Sequence, residues 1–212
     1  LMKCKKVINV QQELVFQLNQ YTLQGIGFGN PDKPMILALH GWLDNAASFA
    51  PLAQYLSDFY IVAIDLIGHG KSPHRSPDAH YHLVDFVQDI HELVVRQKWS
   101  QFILMGHSMG GIIASLYAAT FNSDVKALIC IESFGPMTKP AVTSPEQLHD
   151  SILSRLSAQN STVKPRKIRP LKSFETMVKA RAMVGEMSRR IRHMNDKLAS
   201  VEAEAAYQNF WD

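Results

Sequence analysis

The sequence is poor in the features that mark several large classes of protein. Its 212 residues include only two cysteines, Cys4 and Cys130, which excludes a disulfide framework. Cys130 stands inside an apolar run, so we expect it to be a buried free thiol. No apolar stretch approaches the roughly 20 residues of a membrane-spanning helix, and the N-terminus lacks the apolar region of a signal peptide. We therefore expect a soluble, cytoplasmic protein.

The chain also lacks a large excess of charge of one sign. The formal net charge is +3, which is too small to indicate nucleic acid binding. The basic excess is local, because residues 139–198 carry 13 basic and 5 acidic side chains. A solvated helical surface explains such a segment, and an attraction for acidic substrates near a site entrance is the alternative. The hydrophobic content of 46% indicates one packed domain, or one domain with a lid.

Apolar strands alternate with helices through the first part of the chain. Residues 12–18 and 21–28 predict an antiparallel hairpin. Four strands buried on both faces follow, with helices between them. The strands are predicted at 35–39, 60–64, 102–105 and 125–131, and the helices at 46–57, at 83–98 and directly after Ser108. This alternation is typical of an α/β fold, a mostly parallel sheet with helices on both faces that binds ligands at the carboxyl ends of its strands.

The alternation does not continue through the rest of the chain. Residues 140–170 hold four prolines and several serines, and a short helix is predicted at 145–156. Beyond residue 177, apolar residues recur at steps of three and four, which predicts a long helix. Core packing explains its apolar stripe, and a methionine-lined pocket is the alternative. We therefore divide the chain into a core, 1–136, and a helical lid, 137–212.

One serine stands in a turn that the sequence specifies strongly. The strand at 102–105 runs into Gly106-His107-Ser108-Met109-Gly110, and a helical run follows at once. In this setting the glycines admit a tight reversal of the backbone, which holds Ser108 out as a nucleophile. The helix directs its first N–H groups and the positive end of its dipole at an anion beside Ser108. The N–H of Met109 is a natural donor to the oxyanion of acyl transfer.

Polar residues also follow the neighbouring strands. The first parallel strand ends in His40-Gly41-Trp42, and the N–H of Trp42 is placed in order to be the second oxyanion donor. We expect His40 to be a buried residue that shapes this loop rather than a base. His107, beside the nucleophile, is expected to point into packing.

Two carboxylates stand at the ends of other strands. Asp65 follows the second parallel strand and is expected to bind loop backbone near the site. The glycine-rich loop after it does not have the spacing of a phosphate-binding P-loop. Glu132 follows the fourth strand, beside the strand that bears Ser108. It is a candidate for the catalytic acid, with a structural hydrogen-bond acceptor as the alternative.

Three motifs occur in the order and at the separations typical of one family: His40-Gly41-Trp42, the glycine-rich loop after Asp65, and the turn at Gly106 to Gly110. The chain thus resembles the α/β-hydrolase family, and the run at 41–49 is most similar to the serine hydrolase-like esterases. By this resemblance Ser108 is the nucleophile, and Trp42 and Met109 supply the oxyanion hole. The resemblance implies cleavage of a carboxylic ester through an acyl-enzyme, without a metal or other cofactor. The expected substrate is a small molecule, lipophilic or acidic. Thioesters, lactones and carbon–carbon bonds use the same nucleophile on this fold, so they stay open as alternatives.

The histidine that should take the proton of Ser108 is not evident in the sequence. In this family it follows the last strand, but after Ser108 the chain has only His149 and His193, both in the predicted lid. Two further strands of the family pattern are also missing. We therefore expect the front part of a longer hydrolase, with the histidine beyond Asp212 and the acid either at Glu132 or in the absent part.

A function of a different class also stays open. Without a base, the chain could only serve as a binding or interaction module. Such a module would keep the tight turn at 106–110, which we call the elbow, but would lack turnover. In either case the side of the sheet where further strands belong is expected to pair with a missing C-terminal segment or with another chain.

Overall fold

A six-stranded mixed sheet forms the centre of the fold. The computed structural model describes residues 11–76, 79–136 and 138–160, with side chains up to residue 157. The strands are β1 (Gln11–Gln17), β2 (Thr22–Phe28), β3 (Met35–Leu39), β4 (Tyr60–Ile64), β5 (Phe102–His107) and β6 (Val125–Ile131). The helices are α1 (Ala50–Ala53), α2 (Leu83–Gln97), α3 (Met109–Thr120) and α4 (Ser144–Asn160). The sheet order is β1-β2-β4-β3-β5-β6, and β3 to β6 run parallel to one another. The predicted α/β fold class is confirmed.

Helices cover both faces of the sheet. Along β3, Leu37 and Leu39 join the cluster that contains buried side chains of α2 and α3, whereas Ile36 and Ala38 join the cluster beneath α1. Because side chains alternate between the two faces of a strand, a continuous apolar run fits a strand that is covered on both sides. The parallel strands therefore deliver their carboxyl ends to a single edge of a buried sheet.

The N-terminal hairpin is present as predicted. β1 and β2 pair antiparallel from Gln11 opposite Phe28 to Gln17 opposite Thr22, and the Leu18 N–H closes the turn on the Tyr21 carbonyl at 2.8 Å. β2 then pairs antiparallel with β4, so the hairpin extends the sheet on the side away from β5.

The single helix predicted at 46–57 is wrong. A 3-10 helix covers Ala46–Phe49, and α1 follows over only four residues. The physical reason is Pro51, whose nitrogen carries no hydrogen and cannot bond the carbonyl four residues earlier. Ala50 bonds the Ala47 carbonyl instead, in the shorter 3-10 pattern, and Asn45 caps the turn by accepting the Ala47 N–H.

The prediction that β6 is buried on both faces is also wrong. Its composition is apolar, yet Ile129 and Ile131 are exposed, and Cys130 is a half-buried free thiol rather than a buried one. The cause is position: β6 is the last strand of the sheet, and only β5 pairs with it among the described residues. An apolar sequence shows that a strand can be buried, but it does not show how many other strands pair with it.

The chain divides into two compact units after Pro136. In the second unit, a 3-10 helix at Ala141–Thr143 leads into α4, so the short helix predicted at 145–156 is present. The long helix predicted beyond residue 177 lies outside the described residues, and the assignment of this unit as a lid stays a prediction. Within the described ranges, no helix is long and apolar enough to cross a membrane.

A buried ion pair fixes the loop between β4 and α2. The guanidinium of Arg75 contacts the Asp89 carboxylate on α2, and both side chains are about nine-tenths buried. The rings of Tyr21, Tyr81 and Phe86 lie under the guanidinium at 5.6, 5.7 and 5.6 Å. Burial raises the pKa of the Asp89 carboxyl to about 6, and Arg75 beside it acts in the opposite direction.

We predict that Arg75→Met destabilises the protein more at pH 8 than at pH 5. At pH 8 the substitution leaves a charged carboxylate buried without its cation, which costs about 3 kcal/mol. Because the pKa of Asp89 is raised to about 6, and removal of Arg75 raises it further, the carboxyl is protonated at pH 5 and needs no cation. Urea unfolding at the two pH values measures the difference.

Arg96→Met is the matched control. Arg96 pairs with Glu92 on the same helix at 2.7 Å, but that pair is partly solvated. Its loss should change the free energy of unfolding by less than about 1 kcal/mol at either pH. Equal pH dependence in the two variants would contradict the assignment of Arg75 and Asp89 as a buried charge pair.

Candidate active site

Ser108 occupies a strained turn between β5 and α3. Its φ is 50° and its ψ is −117°, a region in which a residue with a Cβ is rarely found. Strain of this kind costs about 1–3 kcal/mol and persists only where the surrounding structure determines the backbone. The side chain is half-buried, at the edge of the sheet where the parallel strands end.

Two glycines let other backbone segments approach this turn. A Cβ at Gly106 would overlap the Gly110 carbonyl, and a Cβ at Gly110 would overlap the Leu39 carbonyl at the end of β3. Both clashes involve backbone, which cannot move aside as a flexible side chain can. The glycine spacing of the elbow is therefore a consequence of packing the turn against β3 and against its own helix.

Hydrogen bonds hold the peptide groups on both sides of Ser108. Its N–H donates to the Ile131 carbonyl at 2.9 Å. Its carbonyl accepts the N–H groups of Gly111, at 2.8 Å, and Ile112, at 3.2 Å, and it also accepts the hydroxyl of Ser133. These contacts are the surrounding structure that keeps the unfavourable dihedral angles in place.

The loop after β3 lies directly against Ser108. A Cβ at Gly41 would sit 3.3 Å from the Ser108 Cβ and 3.2 Å from Nδ1 of His107. The Gly41–Trp42 peptide is thus beside Ser108 in space, while Met109 is the first residue of α3. The first N–H groups of a helix have no acceptor within the helix. Trp42 is 65% exposed, and its ring lies edge-to-face with that of His69, with 6.4 Å between the ring centroids.

His40 ties the ends of two strands together. It is fully buried, and its Nε2 accepts the Leu66 N–H at 3.0 Å. Because Nε2 accepts, the proton of the neutral ring is on Nδ1, which donates to the Gly41 carbonyl at 2.7 Å. Both ring nitrogens are engaged with backbone, so His40 is not available to draw a proton from Ser108.

Asp65 holds two loops at the same edge of the sheet. One carboxylate oxygen accepts the Ala46 N–H at 2.6 Å, and the other accepts the Lys71 N–H at 2.9 Å. Burial raises the pKa of the Asp65 carboxyl, and these two N–H donors oppose the shift. A Cβ at Gly70 would overlap the Asp65 carboxylate, which explains the glycine in the loop after β4.

His107 differs from its prediction. Rather than pointing only into packing, its side chain is 31% exposed, and its Nε2 lies 3.0 Å from a carboxylate oxygen of Glu132. Glu132 is 65% exposed and has a φ of 71°. The parallel pairing of β5 with β6 places Ile131 beside His107, so the chain bend directly after Ile131 brings the carboxylate to the ring. The structure thus joins two candidate residues that the sequence placed separately.

The remaining histidines of interest lie elsewhere. His149 is exposed on α4 with its Nδ1 3.3 Å from Asp150, and His193 is outside the described residues. The described residues hold no cluster of three or more histidine, cysteine or acidic side chains that could bind a metal ion. A surface depression lined by Met35, Tyr60 and Phe102 lies at the amino ends of the strands, opposite Ser108.

Sequence reasoning missed two serines that build the site. Ser133 donates to the carbonyl of Ser108, and buried Ser72 donates to the Asp65 carbonyl at 2.6 Å while accepting the Gln24 N–H at 3.0 Å. Serine is too common to be informative alone. For Ser133 there was a positional signal, since it follows the strand next to the one that bears the nucleophile.

Comparison with known proteins agrees with the α/β fold described above. Residues 34–171 match the family model described as the alpha/beta hydrolase fold. The human serine hydrolase-like protein is 44% identical over 107 residues, which is 50% of this chain and 53% of the relative. The human serine hydrolase-like protein 2 is also 44% identical over 107 residues, again 50% of this chain but 34% of the relative.

A solved structure extends the similarity beyond the sequence matches. The crystal structure of a hypothetical protein from Pseudomonas aeruginosa PAO1 is 35% identical, with a TM-score of 0.72 over 81% of this chain and 59% of that protein. The chain thus spans between a third and about three fifths of the length of these similar proteins.

We predict that Ser108→Gly is more stable than Ser108→Ala. Both substitutions remove the hydroxyl, but only glycine relieves the steric cost of a positive φ. After allowance for the greater freedom of glycine in the unfolded chain, the difference should be about 1 kcal/mol. Urea unfolding of the two variants measures it, and a glycine variant less stable than the alanine variant by about 1 kcal/mol would show that the turn carries no strain.

Proposed function

This chain belongs to the α/β-hydrolase family, and from that premise we propose that it is a serine hydrolase whose nucleophile is Ser108. The observation that carries the proposal is the strained backbone of Ser108 between a parallel strand and a helix N-terminus, at the carboxyl edge of the sheet. Strain of this kind costs folding free energy, whereas at this edge of the sheet it presents a hydroxyl to a bound molecule.

The proposed reaction is acyl transfer from a carboxylic ester. The Ser108 hydroxyl attacks the ester carbonyl, and the negative charge on the carbonyl oxygen is stabilised by the N–H groups of Met109 and Trp42. Collapse of the intermediate releases the alcohol and leaves an acyl-enzyme, which water then hydrolyses to the acid. The support for these donors is the position of Met109 at the start of α3 and the approach of Gly41 to Ser108.

Proton transfer needs a base that the described residues do not supply in the usual form. The ring nitrogens of His40 bind backbone, and His107 faces Glu132. We place the base outside the described residues, beyond Asp212, and propose Glu132 as the acid that orients it. An exposed carboxylate one strand away from the nucleophile supports this role for Glu132.

The proposed substrate is a small ester with a lipophilic part. Three large apolar side chains are exposed after the ends of the parallel strands: Trp42 at 65%, Leu43 at 57% and Phe134 at 80%. Apolar surface at the mouth of a site suits an apolar acyl or alcohol group. An acidic substrate, the other expectation, depends on the basic residues at 139–198, of which most lie outside the described range.

We expect a fluorophosphonate probe to label Ser108 in a form of the protein that carries the proposed base, and to leave Ser108→Ala in the same form unlabelled. The matched control is Ser100→Ala, which alters an exposed serine just before β5, at the opposite end of that strand. This control should react like the wild type, and mass spectrometry of the labelled peptide identifies the residue. Labelling that survives Ser108→Ala would refute the assignment of the nucleophile.

The alternative hypothesis, a binding module, predicts a different result for ester hydrolysis. If the elbow is retained without turnover, hydrolysis of p-nitrophenyl acetate by the wild type should not exceed that by Ser108→Ala. The similarity to hydrolases favours turnover over this alternative. The longer relatives indicate that the assay should include an extended form of the protein where the gene encodes one.

We also propose that β6 pairs with a further strand, supplied by a C-terminal segment or by another chain. The two edges of the sheet differ in chemistry: β1 is largely polar, whereas six of the seven residues of β6 are apolar and Lys126 is the exception. Exposed apolar edges favour the addition of strands, and charged edges resist it.

We predict that Ile129→Lys reduces self-association of the chain, because a charge on this edge opposes the addition of a strand. Val15→Lys is the matched control, since Val15 is 64% exposed on the opposite edge strand and Ile129 is 38% exposed on β6. Sedimentation velocity over a range of concentrations should show smaller species for Ile129→Lys only. Identical behaviour of the two variants would contradict pairing with a second copy of the chain and would leave a C-terminal segment as the proposed source of the strand.

A further inference from the structure

The end of β6 makes three successive contacts with the elbow. The carbonyl of Ile131 accepts the Ser108 N–H, the carboxylate of Glu132 faces His107, and the hydroxyl of Ser133 donates to the Ser108 carbonyl. Both peptide groups that flank the nucleophile are therefore held by one short segment of a neighbouring strand. We call residues 131–133 the β6 clamp.

The backbone of Glu132 makes this double contact possible. Its φ of 71° is in the left-handed region, and the chain bends at this residue. In a regular parallel ladder the Ser108 carbonyl would accept the backbone N–H of Ser133, and here it accepts the Ser133 hydroxyl instead. A second strained residue thus stands beside the first, and its effect is to direct two groups at Ser108.

The helix of the elbow leaves room for the clamp. A Cβ at Gly111 would lie 2.8 Å from the Ser133 hydroxyl and 2.7 Å from its carbonyl oxygen. A glycine is therefore needed at 111 because Ser133 lies too close to leave room for a side chain. The contact is built from both sides, by a glycine on α3 and a serine after β6.

We propose that Ser133 is a positioning residue for the reaction at Ser108. The other donors to the Ser108 carbonyl, the N–H groups of Gly111 and Ile112, belong to the same turn and move with it. Ser133 follows a different strand, β6, so its hydroxyl fixes the turn relative to the sheet and to the loop after β3. This inference rests on the proposed function, because it assumes that Ser108 is the nucleophile.

The matched substitutions are Ser133→Thr and Ser133→Val. Threonine and valine have nearly the same shape, and only threonine keeps the hydroxyl, so the pair separates the hydrogen bond from packing. We expect the Val variant to react with a fluorophosphonate roughly tenfold more slowly than the Thr variant at equal folded fraction, because loss of position lowers the rate of attack.

Hydrogen exchange at the Ser108 amide gives a second readout that does not depend on reactivity. The Val variant should exchange this amide roughly tenfold faster than the Thr variant, while amides in the centre of β3 exchange alike in both. Equal exchange at Ser108 in the two variants overturns the clamp. Faster exchange with equal labelling rates overturns the role in positioning.

The two hypotheses fail in different ways. If the probe does not modify Ser108 in a wild-type form that carries the proposed base, the proposed nucleophile is wrong, and Ser133 has no reaction to position. If the probe modifies Ser108 and the Thr and Val variants react at the same rate, the nucleophile stands and the positioning role of Ser133 is rejected.

Discussion

The unfavourable backbone of Ser108 is the constraint on which the arrangement of this site depends. A residue with φ of 50° and ψ of −117° needs neighbours that hold it there, and each neighbour comes from a different part of the sheet. β3 packs on Gly110, and the end of β6 bonds both peptide groups of Ser108. The parallel order β3-β5-β6 is what brings these segments together, so the strained serine depends on the complete central sheet.

The elbow could be predicted from the sequence because its requirements are local. The glycines at 106 and 110 and the apolar strand before them specify the turn within a few residues. The contacts of Glu132 and Ser133 with that turn could not be predicted, because they depend on the register of β5 against β6 across 25 residues of chain. A register shift of one residue would turn both away, and composition does not report register.

The errors in the fold prediction have the same origin in non-local geometry. The apolar run of β6 was interpreted as a strand buried on both faces, but burial depends on the strands and helices around it. The helix expected at 46–57 failed for a reason that was visible in the sequence, since Pro51 cannot complete the α-helical bonds of the preceding turn. The alternating strands and helices were predictable because 2.0- and 3.6-residue periods are properties of each segment alone.

Buried polar groups hold the loops at this edge of the sheet in place. The position of Ser108 therefore does not depend on the proposed base. His40, Asp65 and two residues of the β6 clamp, Ile131 and Ser133, all bind backbone, so the positions of Ser108 and of the loop after β3 are fixed by groups that have no proposed part in proton transfer. The base does not have to be present for this geometry to exist. Because the clamp and the loop after β3 together fix the position of Ser108, a histidine supplied by a separate segment, as proposed, would meet a site that is already formed, and its arrival would change the reactivity of Ser108 more than its position.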